Sequence, residues 1–339
     1  MKKIQSYIIL LLLLSAIIAG CAKGGAVSPR ADEEPLTFTG STVSTKATFS
    51  DEDDGTLVWS SYDNLGVYSF DANTSALVHS GFAPITWRTG NDAVFASSEG
   101  RSAWAGSAAD LTFCAYYPQM FAPESSCVGG KVALNLPSAQ SGEFGRYQIC
   151  YASTDLTAAA LTEGYEPVNF EFGPVTSMLR VKPVLKGTSA VDAIYIKQLT
   201  IKIADNRPIV GACELTLSNG SLSAAGGSST VTVTLTNAVR ITKDTAENPF
   251  FTAILLPAVT GNSVLSFYVV DENGTKYTMA NKLSPARFLP GVRYSLEREF
   301  LVSVVNGDTP DAYYIDGGNG WDYEPVVEDG AYTNAGFGW

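Results

Sequence analysis

Histidine is nearly absent from this chain, and the single one, His79, closes several kinds of chemistry at once. A His-Glu-x-x-His zinc site needs two imidazoles on one helical face, so that class is excluded. No Gly-x-Ser-x-Gly elbow and no phosphate-binding glycine loop occurs either. His79 sits in the run 77–81, LVHSG, near a turn, and reads as a solvated or hydrogen-bonded imidazole. Cysteine is sparse: five residues with no Cys-x-x-Cys pair, so no metal site is expected. The acidic run Asp51-Glu52-Asp53-Asp54 ends in Gly55 where a calcium loop of the EF-hand kind needs a ligand, so it reads as a solvated turn. Nothing in the spacing of carboxylates signals a hydrolytic pair. No catalytic residue, cofactor or metal is therefore expected, and the chain reads as non-enzymatic.

Positive charge is also in short supply. Lysine and arginine number 22 against 34 acidic residues, giving a net charge of −12. Such a balance disfavours nucleic acid as a partner, because phosphate binding is led by Lys and Arg. Long helical periodicity is missing throughout. Beyond Ile18 there is no long apolar run that would suggest a membrane helix.

The export signals at the start are clear. Lys2 and Lys3 precede an apolar stretch from Tyr7 to Ile18, which ends in Ile18-Ala19-Gly20-Cys21. That is a secretory signal, residues 1–20, with a lipobox, and it makes Cys21 the lipidated first residue of the mature protein. Residues 21–34 are small, polar and finally acidic, so they serve as a tether. Cys114, Cys127, Cys150 and Cys213 remain as candidate disulfide cysteines in an exported chain, and four cysteines allow three pairings. Cys114 and Cys150 lie in strand-like runs and read either as partners or as small buried apolar groups.

The rest is dominated by period-two alternation bounded by Gly, Pro, Asn and Ser. Leu111, Phe113, Ala115 and Tyr117 share a face, as do Val132, Leu134 and Leu136, then Tyr147, Ile149 and Tyr151, then Val168, Phe170 and Phe172. In the second half Ile194 and Ile196 alternate, followed by Leu199, Ile201 and Ile203. Thr230–Thr236 is a strand by composition, the run Phe250–Pro257 looks covered on both faces, and Asn273-Gly274 marks a hairpin. Residues 85–110 and 156–166 read as helical turns or loop excursions. These patterns predict an all-β protein of two tandem antiparallel β-sandwich, transthyretin-like domains, residues 35–174 and 175–305, with the boundary at Gly173-Pro174. An aromatic, acidic tail covers 306–339.

The order of motifs resembles that of the fimbrillin-like lipoproteins of Bacteroidales, the subunits and relatives of a lipoprotein-derived pilus. Thr45, Lys46, Ala47 and Phe49 match the opening segment, Trp59 and Asp63 follow, and Leu65-Gly66-Val67-Tyr68 matches the next strand. Phe113, Ala115, Tyr116, Tyr117 and Pro118, then Leu136, Pro137 and Gln140, then Phe170 and Phe172 continue the series. Gly173-Pro174 stands where relatives commonly carry a His. The resemblance implies a pilus subunit, tip or anchor accessory, lipid-anchored in the outer membrane through Cys21 and placed at the cell surface or fimbrium, with the periplasmic leaflet as the other site. It implies processing after a basic residue, with Lys46 preferred and Arg30 the alternative. A strand from a neighbouring subunit then fills the groove left by the first strand, here Pro35–Gly40, by β-strand addition. Residues Asp311–Ile315 or Tyr323–Val327 are the tail runs suited to donate. A host protein or glycan receptor is the further partner class. Asp244-Thr245-Ala246 matches a short O-glycosylation motif, which makes Thr245 a candidate acceptor. The competing reading is a surface glycan-binding lipoprotein of a polysaccharide-uptake system, using rings such as Trp87, Trp104, Trp321 and Trp339; an exposed platform of rings would favour it, whereas burial in cores would not.

Overall fold

The computed structural model describes residues 34–42, 59–89, 92–118, 127–163, 166–261, 263–284, 287–305, 308–313 and 333–334. Strand follows strand almost without helix, as the period-two patterning requires. The first unit is built from β1 (Pro35–Thr42), β2 (Asn64–Asp71), β3 (Leu77–Thr89), β4 (Asp92–Gly100) and β5 (Asp110–Tyr117). An excursion through β6 (Cys127–Val128), β7 (Lys131–Leu136) and β8 (Ala139–Ser141) follows, before β9 (Cys150–Thr157) and β10 (Val168–Pro174) return to it.

These seven wall strands close into a barrel in the order β1-β10-β9-β5-β2-β3-β4. The expected antiparallel sandwich thus gives way to a closed wall, and closure depends on one parallel pair. Strand β1 runs parallel to β10, with Phe38 opposite Val168 and Thr42 opposite Phe172, and antiparallel to β4. Closing the sheet removes both free edges, which an open sandwich would have to protect by other means. Residues 85–110, expected as a helical turn or a loop excursion, supply the end of β3, all of β4 and the short helix Arg101–Ala105. Their small residues looked loop-like. Inside the barrel they leave room for large rings: Ala93 packs in the same core as Phe95, Trp59 and Trp104.

The second unit contains β11 (Ser177–Leu185), β12 (Ala193–Ile203), β13 (Gly211–Thr216), β14 (Ser221–Ala224), β15 (Thr230–Thr242) and β16 (Phe251–Leu255). It continues with β17 (Ala258–Val259), β18 (Val264–Asp271), β19 (Lys276–Leu283), β20 (Arg287–Phe288), β21 (Val292–Val305), β22 (Asp308–Tyr313) and β23 (Thr333–Asn334). A large sheet runs β16-β11-β21-β19-β18-β12-β15-β8, with β22 and β23 paired to β21. Opposite it lies a four-stranded sheet in the order β14-β13-β7-β6. The phase break between Ile196 and Leu199 is a β-bulge: both ladders of β12 shift register between Ile196 and Gln198. One extra residue restores the apolar side chains to the core face.

Strands β6, β7 and β8 come from the first half of the sequence but pair with the second, β7 with β13 and β8 with β15. The barrel wall joins in as well. Tyr68, Cys114 and Tyr116 point outward from β2 and β5 into the core of the second unit, while Val67, Phe113 and Ala115 point into the barrel. Both faces of these two strands are therefore apolar. The same arrangement reassigns the run 146–153: Arg146 and Tyr147 belong to the 3-10 turn Phe144–Tyr147, β9 starts at Cys150, and Ile149 and Tyr151 face the second core while Cys150 and Ala152 fill the barrel. Gly66 is required by this contact, since a Cβ there would lie 2.2 Å from the Tyr116 ring.

Candidate functional site

The element that sets this molecule apart is its first strand. The segment Leu36-Thr37-Phe38-Thr39 is rich in β-branched and aromatic residues, and Pro35 stands at the strand's first position, where a missing N–H is tolerated. Leu36 and Phe38 are fully buried. Phe38 meets Trp104 edge-on at 5.4 Å, stacks on Phe170 at 5.8 Å and lies 6.3 Å from Phe113. Aromatic pairs in these geometries add to the area they bury. On the outer side the Ser41 hydroxyl donates to the Phe170 carbonyl at 3.5 Å, and the Thr39 hydroxyl donates to Asn169.

Next along the inner face comes Gly40, beneath a roof of rings. A Cβ at this position would sit 3.1 Å from Phe95 and 3.2 Å from both Phe172 and Trp59. Trp59 is the centre of that roof, 5.2 Å from Phe95, 5.1 Å from Tyr117 and 5.7 Å from Phe172. Its backbone is held by Arg88, whose guanidinium donates to the Trp59 carbonyl at 2.8 Å. Asp63 fixes the far end: it accepts the Tyr117 hydroxyl at 3.0 Å and the Ser60 N–H. Burial pushes the Asp63 carboxyl above its ordinary value, against those hydrogen bonds and the nearby Arg88 charge.

Strand β1 is thus the closing strand of the barrel, paired on one side with β4 and on the other with β10, with its inner face in the apolar core. Cys21, Arg30 and Lys46 lie outside the described residues, but their place in sequence matters. Arg30 precedes β1, whereas Lys46 lies between the end of β1 and Trp59.

The other predicted residues are scattered. Cys114, Cys127, Cys150 and Cys213 are free thiols. Cys114 faces the second core and donates to the Leu217 carbonyl at 3.1 Å, while Cys150 lies inside the barrel, so these two point to opposite sides of the wall. Burial pushes Cys114 up to about 11 and Cys150 and Cys213 up to about 12. Thr245 opens an exposed 3-10 turn capped by Asp244, whose carboxylate accepts the Ala246 N–H at 2.9 Å. His79 packs edge-on against Trp104 at 4.5 Å, and its Nε2 lies 2.6 Å from the Glu99 carboxylate.

No ring platform is found among the described residues. Trp59 and Trp104 are buried, Trp87 and Tyr62 are exposed without a ring partner among the described residues, and Trp321 and Trp339 lie outside the described residues. A hollow of 410 Å³ between β8 and β15 is lined by Ala139, Ser141, Tyr147 and Leu235 and holds no carboxylate, amine, imidazole or thiol.

Gln140, which sequence reading carried only as part of a motif, has a definite task. Its amide donates to the Ile254 carbonyl at 2.8 Å and accepts the Ile254 N–H at 2.9 Å, taking the place of a strand beside β16.

Among solved structures, a candidate cell adhesion protein of Bacteroides ovatus matches at 16% identity with a TM-score of 0.50, over 82% of this chain and 95% of that one. A second candidate cell adhesion protein, from Bacteroides uniformis, matches at 16% identity and TM-score 0.50 over 84% and 98% of the two chains. A fimbrial protein of Bacteroides vulgatus is similar at 11% identity, TM-score 0.49, over 82% and 97%. No curated protein matches the chain. The family model described as fimbrillin-like matches residues 45–308, most of the sequence and both structural units. The chain belongs to the fimbrillin-like family.

Proposed function

We propose that this protein is a structural or adhesive subunit, tip or anchor of a fimbrium, carried to the cell envelope as a lipoprotein and joined to its neighbours by strand exchange at the β1 slot. The observation that carries this reading is the position of β1. A single strand closes the barrel, buries Leu36 and Phe38 in its centre, and connects forward to the barrel through a segment that contains Lys46. Cleavage after Lys46 would sever β1 and leave β4 and β10 with unpaired edges and an open apolar slot, the condition under which a strand from another subunit binds through main-chain hydrogen bonds. Cleavage after Arg30 would remove the lipidated tether and keep β1 in place. Lys46 is for that reason the processing site consistent with polymerisation, and Arg30 the one consistent with a released but self-filled subunit.

Membrane attachment runs through lipid on Cys21 in this reading, other subunits are the main partners, and a host protein or glycan receptor would be met at the cell surface. Thr245 is a proposed glycosylation position on the exposed turn it opens. The role is structural rather than catalytic, and the buried state of Trp59 and Trp104 gives the glycan-platform alternative no support.

Mass spectrometry of protein recovered from the cell envelope, with electrophoresis before and after boiling, tests the reading. A terminus at Ala47 with a heat-sensitive ladder is expected of a strand-exchanging subunit. A terminus at Ala31 assigns a subunit released with its slot filled. Lipidated Cys21 with a single monomer band overturns polymerisation.

A further inference from the structure

Resting on the strand-exchange reading, we infer that the β1 slot selects its occupant by side-chain size. It takes a bulky residue at the Leu36 position, a bulky residue at the Phe38 position, and glycine at the Gly40 position. The selecting residues are Trp59, Phe95 and Phe172, and the occupant that fits is residues 313–317 of a second copy.

The first two places are deep. Leu36 and Phe38 are fully buried, and Phe38 lies among Trp104, Phe113 and Phe170, so a polar residue at either would lose its hydration with no partner in return. The third place is tight. A methyl group at Gly40 would approach three rings at 3.1 to 3.2 Å at once, and all three rings are themselves buried. Trp59 cannot swing away freely, because it packs edge-on against Phe95, Tyr117 and Phe172 and Arg88 holds its carbonyl. A β-branched side chain at that position has no room, and a strand that carries one must shift register, which turns its apolar residues to the outer face.

Two tail runs have the alternation of a donor. Tyr323–Val327 places Tyr323, Pro325 and Val327 on one face, with a proline lacking the ladder N–H in the middle and a β-branched residue at the glycine position. Shifted along the tail, Tyr313, Ile315 and Gly317 follow the order bulky, bulky, glycine in the same chain direction as Leu36, Phe38 and Gly40, and donation requires Tyr313, the last residue of β22, to leave its place opposite Leu301 in β21. The slot's size rule therefore chooses between two segments that alternation alone leaves equal.

The test uses the full-length protein with a site-specific protease sequence inserted after Lys46, cut and then incubated with excess synthetic peptide, uptake being read by native mass spectrometry. Three peptides are compared: Pro35–Thr42 as the native occupant, Asp311–Gly318, and Asp311–Gly318 with Gly317→Val. Uptake of the first two, with the Gly317→Val peptide at least about tenfold weaker, is the expected result. Equal uptake of all three overturns the size rule and leaves strand exchange standing. Uptake of the Pro35–Thr42 peptide alone overturns the tail as occupant. Failure of every peptide, the native one included, overturns the strand-exchange reading on which the inference depends.

Discussion

At the scale of single residues, the fold relies on side chains that substitute for backbone or make room for rings. Gln140 stands in for a strand beside Ile254, and replacing it leaves a buried N–H and a buried carbonyl without partners. Gln140→Ala should therefore cost about 1–3 kcal/mol in urea unfolding, and a change within error would show that water takes over the role. Phe38 is a fully buried ring of β1, so Phe38→Ala should destabilise by about 3–5 kcal/mol by the same measurement, as for other large-to-small changes at buried rings. The thiols divide by exposure. Cys114, Cys150 and Cys213 are buried with their thiolates disfavoured, whereas Cys127 is half-buried. Iodoacetamide on the reduced native protein should label Cys127 first, read by peptide mapping; equal labelling of all four would contradict the buried placement of the others. Motif reading drew attention to Gln140 as part of Leu-Pro-x-x-Gln, but its partner lies over a hundred positions away in β16, and no local pattern points there.

At the scale of elements, alternation was a good guide where a strand has one core to face. Val132, Leu134 and Leu136 in β7 and Val168, Phe170 and Phe172 in β10 follow it strictly. The guide weakened where both faces are packed, as in β2 and β5, and in β4, whose small residues look like loop. The β18–β19 hairpin was legible from Asn273-Gly274, and the structure adds its anchor. Asp271 accepts N–H groups of Asn273 at 2.9 Å and Thr275 at 2.8 Å and the Tyr277 hydroxyl at 3.1 Å. Asp271→Ala should cost about 2 kcal/mol, with the loss of protection in hydrogen exchange confined first to β18 and β19. Uniform loss across the large sheet would mean that the turn is not an independent element.

For the whole molecule, the barrel and the second unit share a wall, since β2 and β5 feed both cores and β6 to β8 cross into the other sheets. One calorimetric transition is expected, and two separated transitions would show that the shared wall does not couple them. Stability should also fall in alkali. Cys150 and Cys213 rise from 9.0 to about 12 and Tyr68 and Tyr277 from 10.0 to about 12, with burial the leading cause in each. The native state therefore holds these protons after the unfolded chain has released them, so unfolding is favoured increasingly as pH rises from about 9 toward about 12. A thermal midpoint that stays level across that interval would refute the assignment. The sequence by itself determined the all-β class, most strand positions and the family resemblance, because all of these depend on local order and period. Only the tertiary structure decided that the first half closes as a barrel, that its excursion builds the other unit's sheets, and that Gly40 lies under Trp59, because these depend on which distant strands pair and on the space left between their side chains.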